Sequence, residues 1–182
     1  MGTRNLTAVM IDGKYKIAQY GQWDGYPSGQ GVTVLAFLHG WDRAKFAKQV
    51  NKCRFITDKE ADKIDKKFGH NFPDHYPQLS RDMCAKILQF VMDNKEKECL
   101  LHNSIDFASD SLFCEWAYVI DFDANTFEVY KGFVEKPHTK KERFTDLEGD
   151  KTEEYYPIKL LKKYSLDKLP TEKKFLKDCE EK

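Results

Sequence analysis

The first third of the chain alternates between strand-like, turn-like and helical patterns. Residues 6–11 are apolar and β-prone, Asp12-Gly13 follows, and residues 14–20 alternate in polarity. Asp-Gly between two such runs is a strong signal for a β-hairpin. The second predicted strand leads into a turn-rich stretch, residues 22–31. Apolar positions then recur at helical spacing, which predicts helices at 32–38, 41–53, 58–68 and 80–91.

Two of these helices carry start signals in the sequence. Thr57 and Glu60 have the spacing of a capping box, and Gly69 is placed to close that helix. Ser80 is the candidate cap of the helix at 80–91, which has the broadest apolar face in the chain.

The second half of the chain predicts another hairpin. Residues 112–122 are strongly β-prone and apolar on both faces at 116–120, as in a central strand, and residues 127–130 return after a turn. Residues 135–154 are charged and polar, which predicts a solvated, mobile loop. An edge strand at 155–164 and a terminal helix from Pro170 complete the pattern. We therefore predict one α+β domain over residues 1–182. Its mainly antiparallel sheet consists of two hairpins plus an edge strand, with helices packed on it.

Composition narrows the functional classes. The chain has 30 basic and 30 acidic residues, which argues against direct nucleic-acid binding and against an anionic membrane as partner. It has neither a stretch long enough to span a membrane nor a signal-peptide core, so we expect a soluble, cytoplasmic protein. Five scattered cysteines predict neither a disulfide framework nor a zinc site. His70 and His75 flank Asp74 without a metal-binding spacing, and we expect no metal and no cofactor.

The stretch 22–31 is the strongest candidate for a binding site. Its glycines at 25, 29 and 31 indicate positive φ angles or close approach of the backbone to another group. Its backbone N–H groups, at the start of a predicted helix, could hold a phosphate. It also carries five side chains suited to recognition, which are the candidate ligand-binding residues Trp23, Asp24, Tyr26, Ser28 and Gln30. The alternative is a tight turn that only folds the hairpin onto its helix.

Each candidate residue has a functional and a structural interpretation. Asp24 could act as a general base or could cap the loop backbone. Trp23 and Tyr26 could stack on a ligand or serve as buried anchors, and we expect truncation of Trp23 to unfold the protein. We expect Ser28 and Gln30 to be exposed contacts. Two further candidate ligand-binding residues, Arg4 and Glu115, could orient a ligand together or form a buried ion pair.

Several of these stretches resemble a known group of proteins. The start Met1-Gly2-Thr3-Arg4, the run Trp23-Asp24-Gly25-Tyr26-Pro27, residues 115–121 and residues 166–172 are similar to small proteins of undetermined function from bacteriophages, prophage-bearing bacteria and fungi. Many members of that group have Cys-His directly before Trp-Asp-Gly. Gly21-Gln22 stands there in this chain, so a cysteine–histidine catalytic pair is absent at that place.

These observations leave three hypotheses. The first is a non-catalytic binding protein of phage or prophage type that sequesters a small nucleotide-like ligand or a host protein in the host cytoplasm, as an antagonist of host defence. The second is a small hydrolase or transferase with its active site at residues 23–31 and Asp24 as base. The third is a structural module in which the loop is only a folding device.

Overall fold

A five-stranded sheet forms the centre of the fold. The computed structural model describes residues 2–147 and 155–180. In chain order the strands are β1 (Asn5–Ile11), β2 (Lys14–Gly21), β3 (Cys53–Phe55), β4 (Cys99–Leu101), β5 (Trp116–Asp121), β6 (Thr126–Lys131) and β7 (Lys159–Ser165). The main sheet has the order β2-β1-β5-β6-β7, and β3 with β4 forms a separate two-stranded parallel sheet.

The strand pairing confirms the predicted α+β class. β1–β2 and β5–β6 are antiparallel hairpins, and β7 joins β6 as an antiparallel edge strand. The two hairpins are connected by parallel pairing of β1 with β5. The β3–β4 sheet was not predicted, because three-residue strands are too short for a periodic signal and Cys53 had been assigned to a helix.

The described part of the chain contains six α-helices, four of which contribute to the core on one face of the sheet. They are α1 (Val32–Gly40), α2 (Arg43–Val50), α3 (Asp58–Phe68), α4 (Phe72–His75), α5 (Ile87–Asp93) and α6 (Glu172–Cys179). The capping box of α3 is present as predicted. Ser80, however, does not cap a helix. Its hydroxyl accepts the backbone N–H of Asp82, and the helical run begins only at Cys84, whose φ is +47°.

Both faces of the sheet are buried. On one face, Val9, Tyr118 and Phe127 lie in a core with apolar side chains of α1, α2, α5 and α6. On the other face, Leu6 and Val119 lie in a core with apolar residues from segments without regular structure, Cys114, Phe144 and Ile158 among them. β5 is thus the central strand covered on both sides that the apolar pattern predicts.

The predicted mobile loop at 135–154 lies partly outside the described residues, which end at 147 and resume at 155. Within 135–147 there is no helix or strand. Phe144 is nevertheless fully buried, and its ring packs edge-on against Tyr130 with the centroids 4.8 Å apart. Much of 135–147 is therefore exposed, as predicted for a solvated loop, but Phe144 anchors the segment to the sheet face.

Candidate functional site

The loop at residues 22–31 is folded by hydrogen bonds at the end of β2. The Gly25 N–H donates to the carbonyl of Thr3, and the Gln30 N–H donates to the carbonyl of Asp24, both at 2.9 Å. The buried Tyr118 hydroxyl donates to the Gly25 carbonyl at 2.7 Å. Residues Pro27–Gly31 then form a single π-helical turn that leads directly into α1. The loop conformation is therefore set by the surrounding backbone.

Close approach of the backbone explains the glycines. A Cβ at Gly29 would lie 2.2 Å from the Asp24 carbonyl oxygen, and one at Gly25 would lie 2.8 Å from the Thr3 carbonyl oxygen. Positive φ occurs instead at Asp24, with φ +53°. The N–H groups of Gly29 and Gly31 both donate to the Tyr26 carbonyl. Together with those of Gly25 and Gln30 they are already used, so these four N–H groups are not free to hold a phosphate.

Three candidate side chains of the loop face solvent. Trp23 is 46% exposed and Tyr26 is 54% exposed. The Trp23 indole N–H donates to the carboxylate of Asp82 at 2.7 Å, so the expectation of a buried Trp23 is wrong. Asp24 folds the loop through its carbonyl, and within the described residues its exposed carboxylate has no hydrogen-bond partner. These three side chains are available to a ligand.

Gln30 is an internal brace. Its side-chain oxygen accepts the Ala85 N–H at 3.1 Å, and its side-chain nitrogen donates to the Trp23 carbonyl at 3.3 Å. Its predicted role as an exposed contact is therefore wrong, because the segment at 81–85 lies against the loop. Ser28 is exposed as expected, and within residues 2–147 and 155–180 its hydroxyl has no partner.

Arg4 and Glu115 are in contact through the backbone N–H of Arg4. The Glu115 carboxylate accepts the backbone N–H of Arg4 at 3.2 Å, whereas the Arg4 guanidinium lies over the Phe113 ring, 4.4 Å from its centroid. Both residues are half-buried, and the described structure has no ion pair between them. The predicted buried ion pair is thus replaced by a backbone contact and a cation–π contact.

Four residues near the loop were missed by the sequence interpretation. The Gln22 N–H donates to the Arg81 carbonyl at 3.2 Å, and the Tyr20 hydroxyl donates to the Gln22 side-chain oxygen at 2.6 Å. Asn5 is fully buried and donates from its side chain to the carbonyls of Gly21 and Trp23. No local pattern marks Asn5 or Arg81, because their partners are distant in sequence.

A second polar cluster lies on the opposite face of the sheet, beside a cleft of about 470 Å³. Arg143 bridges the buried carboxylates of Asp121 and Glu128. Glu128 also accepts from Tyr130 at 2.7 Å and from the Lys163 ammonium at 2.9 Å. Two carboxylates meet two cations, so the charges cancel. This arrangement is typical of a structural network that holds residues 135–147 to the sheet.

The Glu128 carboxyl makes this network sensitive to acid. Burial opposes its ionisation, but hydrogen bonds from Arg143, Tyr130 and Lys163 outweigh burial and lower its pKa to about 2. A lowered pKa gives stability that is complete above the unfolded-state pKa near 4.5 and is lost as pH falls toward 2. In urea titrations, we expect the difference in unfolding free energy between the wild type and Glu128→Gln to shrink as pH falls from about 4.5 to about 2. An advantage independent of pH would contradict the assignment.

The remaining candidate chemistry is sparse. The five cysteines are free and buried. No group of three or more His, Cys, Asp or Glu side chains in the described residues could hold a metal ion. None of the described helices has the length and apolar character needed to cross a bilayer.

Comparison with known proteins identifies no relative of this chain. Protein-family profiles, curated proteins and solved structures all return no match to this chain. The functional argument therefore rests on the geometry of the chain's own residues.

Proposed function

We propose that this is a non-catalytic binding protein whose site is the exposed surface of the loop at residues 22–31. The observation that carries the proposal is a loop held by backbone hydrogen bonds that nonetheless exposes Trp23, Tyr26 and an Asp24 carboxylate without a partner among the described residues. The ligand class is a small molecule with a planar ring and polar groups, such as a nucleotide.

The physical argument is pre-organisation. A loop that is already ordered loses little conformational entropy when a ligand binds, so its contacts contribute fully to affinity. Exposed tryptophan and tyrosine rings stack on planar ligands, and a free carboxylate accepts hydrogen bonds from ring or ribose donors. If the loop were only a folding device, its two large aromatic rings would gain nothing from facing water.

The enzyme hypothesis has less support. Asp24 is the candidate base, but no nucleophile in the described residues is hydrogen-bonded to its carboxylate. The resemblance to phage and prophage proteins supports sequestration in a host cytoplasm, directed against host defence. A host protein is the other partner class for the same exposed aromatic rings.

A ligand screen tests this proposal. We expect nucleosides or nucleotides to raise the melting temperature of the wild type without being consumed. Trp23→Ala should abolish that response at a cost of only about 1 kcal/mol of unfolding free energy, because the side chain is half-exposed. Tyr156→Ala removes an exposed ring that is not part of residues 22–31 and serves as the control. A full response in Trp23→Ala, or product formation, would contradict the proposal.

A further inference from the structure

Within residues 2–147 and 155–180, two of the five arginines lack a carboxylate partner. Arg43 pairs with Asp167, Arg54 with Glu60 and Glu98, and Arg143 with Asp121 and Glu128. Within the described part of the chain, Arg4 and Arg81 make no ion pair. Unpaired guanidinium groups are well suited to bind phosphate, because they offer several donors in a planar fork.

The strand register brings these two arginines to the same end of the sheet. Asn5 pairs with Gly21, so Arg4 comes level with Gln22 just beyond the ends of β1 and β2. The Gln22 N–H donates to the Arg81 carbonyl, which places Arg81 on the other side of Gln22. Arg4, Gln22 and Arg81 therefore lie side by side.

The pKa of Tyr20 is affected by both arginines. Burial raises the pKa of its phenol, while the positive charges of Arg4 and Arg81 both act in the opposite direction. Both guanidinium groups are thus close enough to affect the Tyr20 hydroxyl. That hydroxyl donates to the Gln22 side-chain oxygen, which leaves the Gln22 amide NH₂ as a further donor.

Two carboxylates beside these arginines are engaged by other donors. Glu115 accepts the backbone N–H of Arg4, and Asp82 accepts the Trp23 indole N–H. The Arg4 guanidinium is positioned by the half-exposed Phe113 ring. An incoming anion would therefore not have to displace a carboxylate from either guanidinium group.

We propose that Arg4, Gln22 and Arg81 form a phosphate subsite beside Trp23, and that the ligand is a nucleoside phosphate. This inference rests on the proposed function, since the ligand's ring is assigned to the loop and its phosphate to the two arginines. It also supplies the phosphate contacts that the loop backbone does not offer, because the loop N–H groups at 25, 29, 30 and 31 are already used.

Calorimetric titration with matched ligands tests the subsite. The probes are the four common ribonucleosides, their 5′-monophosphates and inorganic phosphate. We expect one or more monophosphates to bind at least tenfold more tightly than the parent nucleoside, with affinity falling as salt rises. Arg81→Gln should remove that tenfold advantage and leave nucleoside affinity unchanged. Lys86→Gln removes an exposed cation from the same segment and should change neither affinity.

The outcomes separate the two proposals. Equal affinity for nucleosides and monophosphates, unaffected by Arg81→Gln, would overturn the phosphate subsite and leave the binding function standing. Failure of every probe to bind, inorganic phosphate included, would overturn both. Arg81 is exposed, so Arg81→Gln should melt at the wild-type temperature, and this verifies that a lost affinity is not lost folding.

Discussion

Replacement of Arg143 by methionine should lower the free energy of unfolding by about 3–5 kcal/mol. The guanidinium bridges Asp121 and Glu128, whose side chains are 5% and 1% exposed. Methionine preserves much of the length and apolar volume but leaves two buried carboxylates facing each other. Lys163 can compensate only Glu128, which it already contacts. Urea unfolding followed by circular dichroism at pH 7 measures the effect.

The matched control is Lys141→Met. Lys141 also pairs with a carboxylate, Asp146 at 2.7 Å, but both side chains are mostly exposed. Exposed pairs contribute little, so this variant should remain within about 0.5 kcal/mol of the wild type. Equal losses of unfolding free energy in the two variants would show that burial does not strengthen the charged network. A loss below about 1 kcal/mol in Arg143→Met would contradict the structural role of Arg143.

Replacement of Gly29 by alanine should cost about 3 kcal/mol and abolish ligand binding. The new methyl group would lie 2.2 Å from the Asp24 carbonyl oxygen, a backbone atom that cannot move without breaking its hydrogen bond to Gln30. The loop must therefore open, which displaces the Trp23 and Asp24 side chains. Thermal unfolding and the ligand screen together detect both effects.

Gly40→Ala provides the control for Gly29→Ala. Gly40 ends α1, and a Cβ there has no atom within 4 Å apart from its immediate neighbours. Alanine at that position should be neutral or slightly stabilising, because it reduces the freedom of the unfolded chain. If Gly29→Ala bound ligand normally, the loop conformation would not matter for recognition, and the site would have to lie elsewhere.

Local sequence patterns predicted the elements of the fold better than their arrangement. Asp12-Gly13 and the alternation around it identified the first hairpin, and the Thr57–Glu60 spacing identified the start of α3. The parallel pairing of Asn5 with Trp116 had no local signal, because it depends on how the hairpins pack across more than a hundred residues. The helix at 80–91 was predicted to start too early, because Ser80 has the residue type of a cap but its hydroxyl accepts the Asp82 N–H.

Residue composition located the candidate loop. The structure, however, places Gln30 inside and leaves Trp23 half-exposed, which is the reverse of the prediction. Gly, Pro and aromatic residues at 23–31 located the loop correctly at the end of β2. Whether a side chain is exposed depends on what lies against it, and the segment at 81–85 packs on Gln30 while leaving Trp23 half in solvent. Arg81 belongs to that segment, so only the folded structure brings it to Gln22.

The parallel pairing of β1 with β5 also has a consequence for biosynthesis. The first hairpin leaves the ribosome early, but its central neighbour begins only at Trp116. At roughly 5–20 residues per second, the intervening chain takes about 5–20 s to be made. During that interval one edge of β1 has no strand to pair with and the apolar side chains of Leu6 and Val9 have no core to enter. The nascent first hairpin therefore stays open to aggregation until β5 is made, and slow synthesis should increase that aggregation.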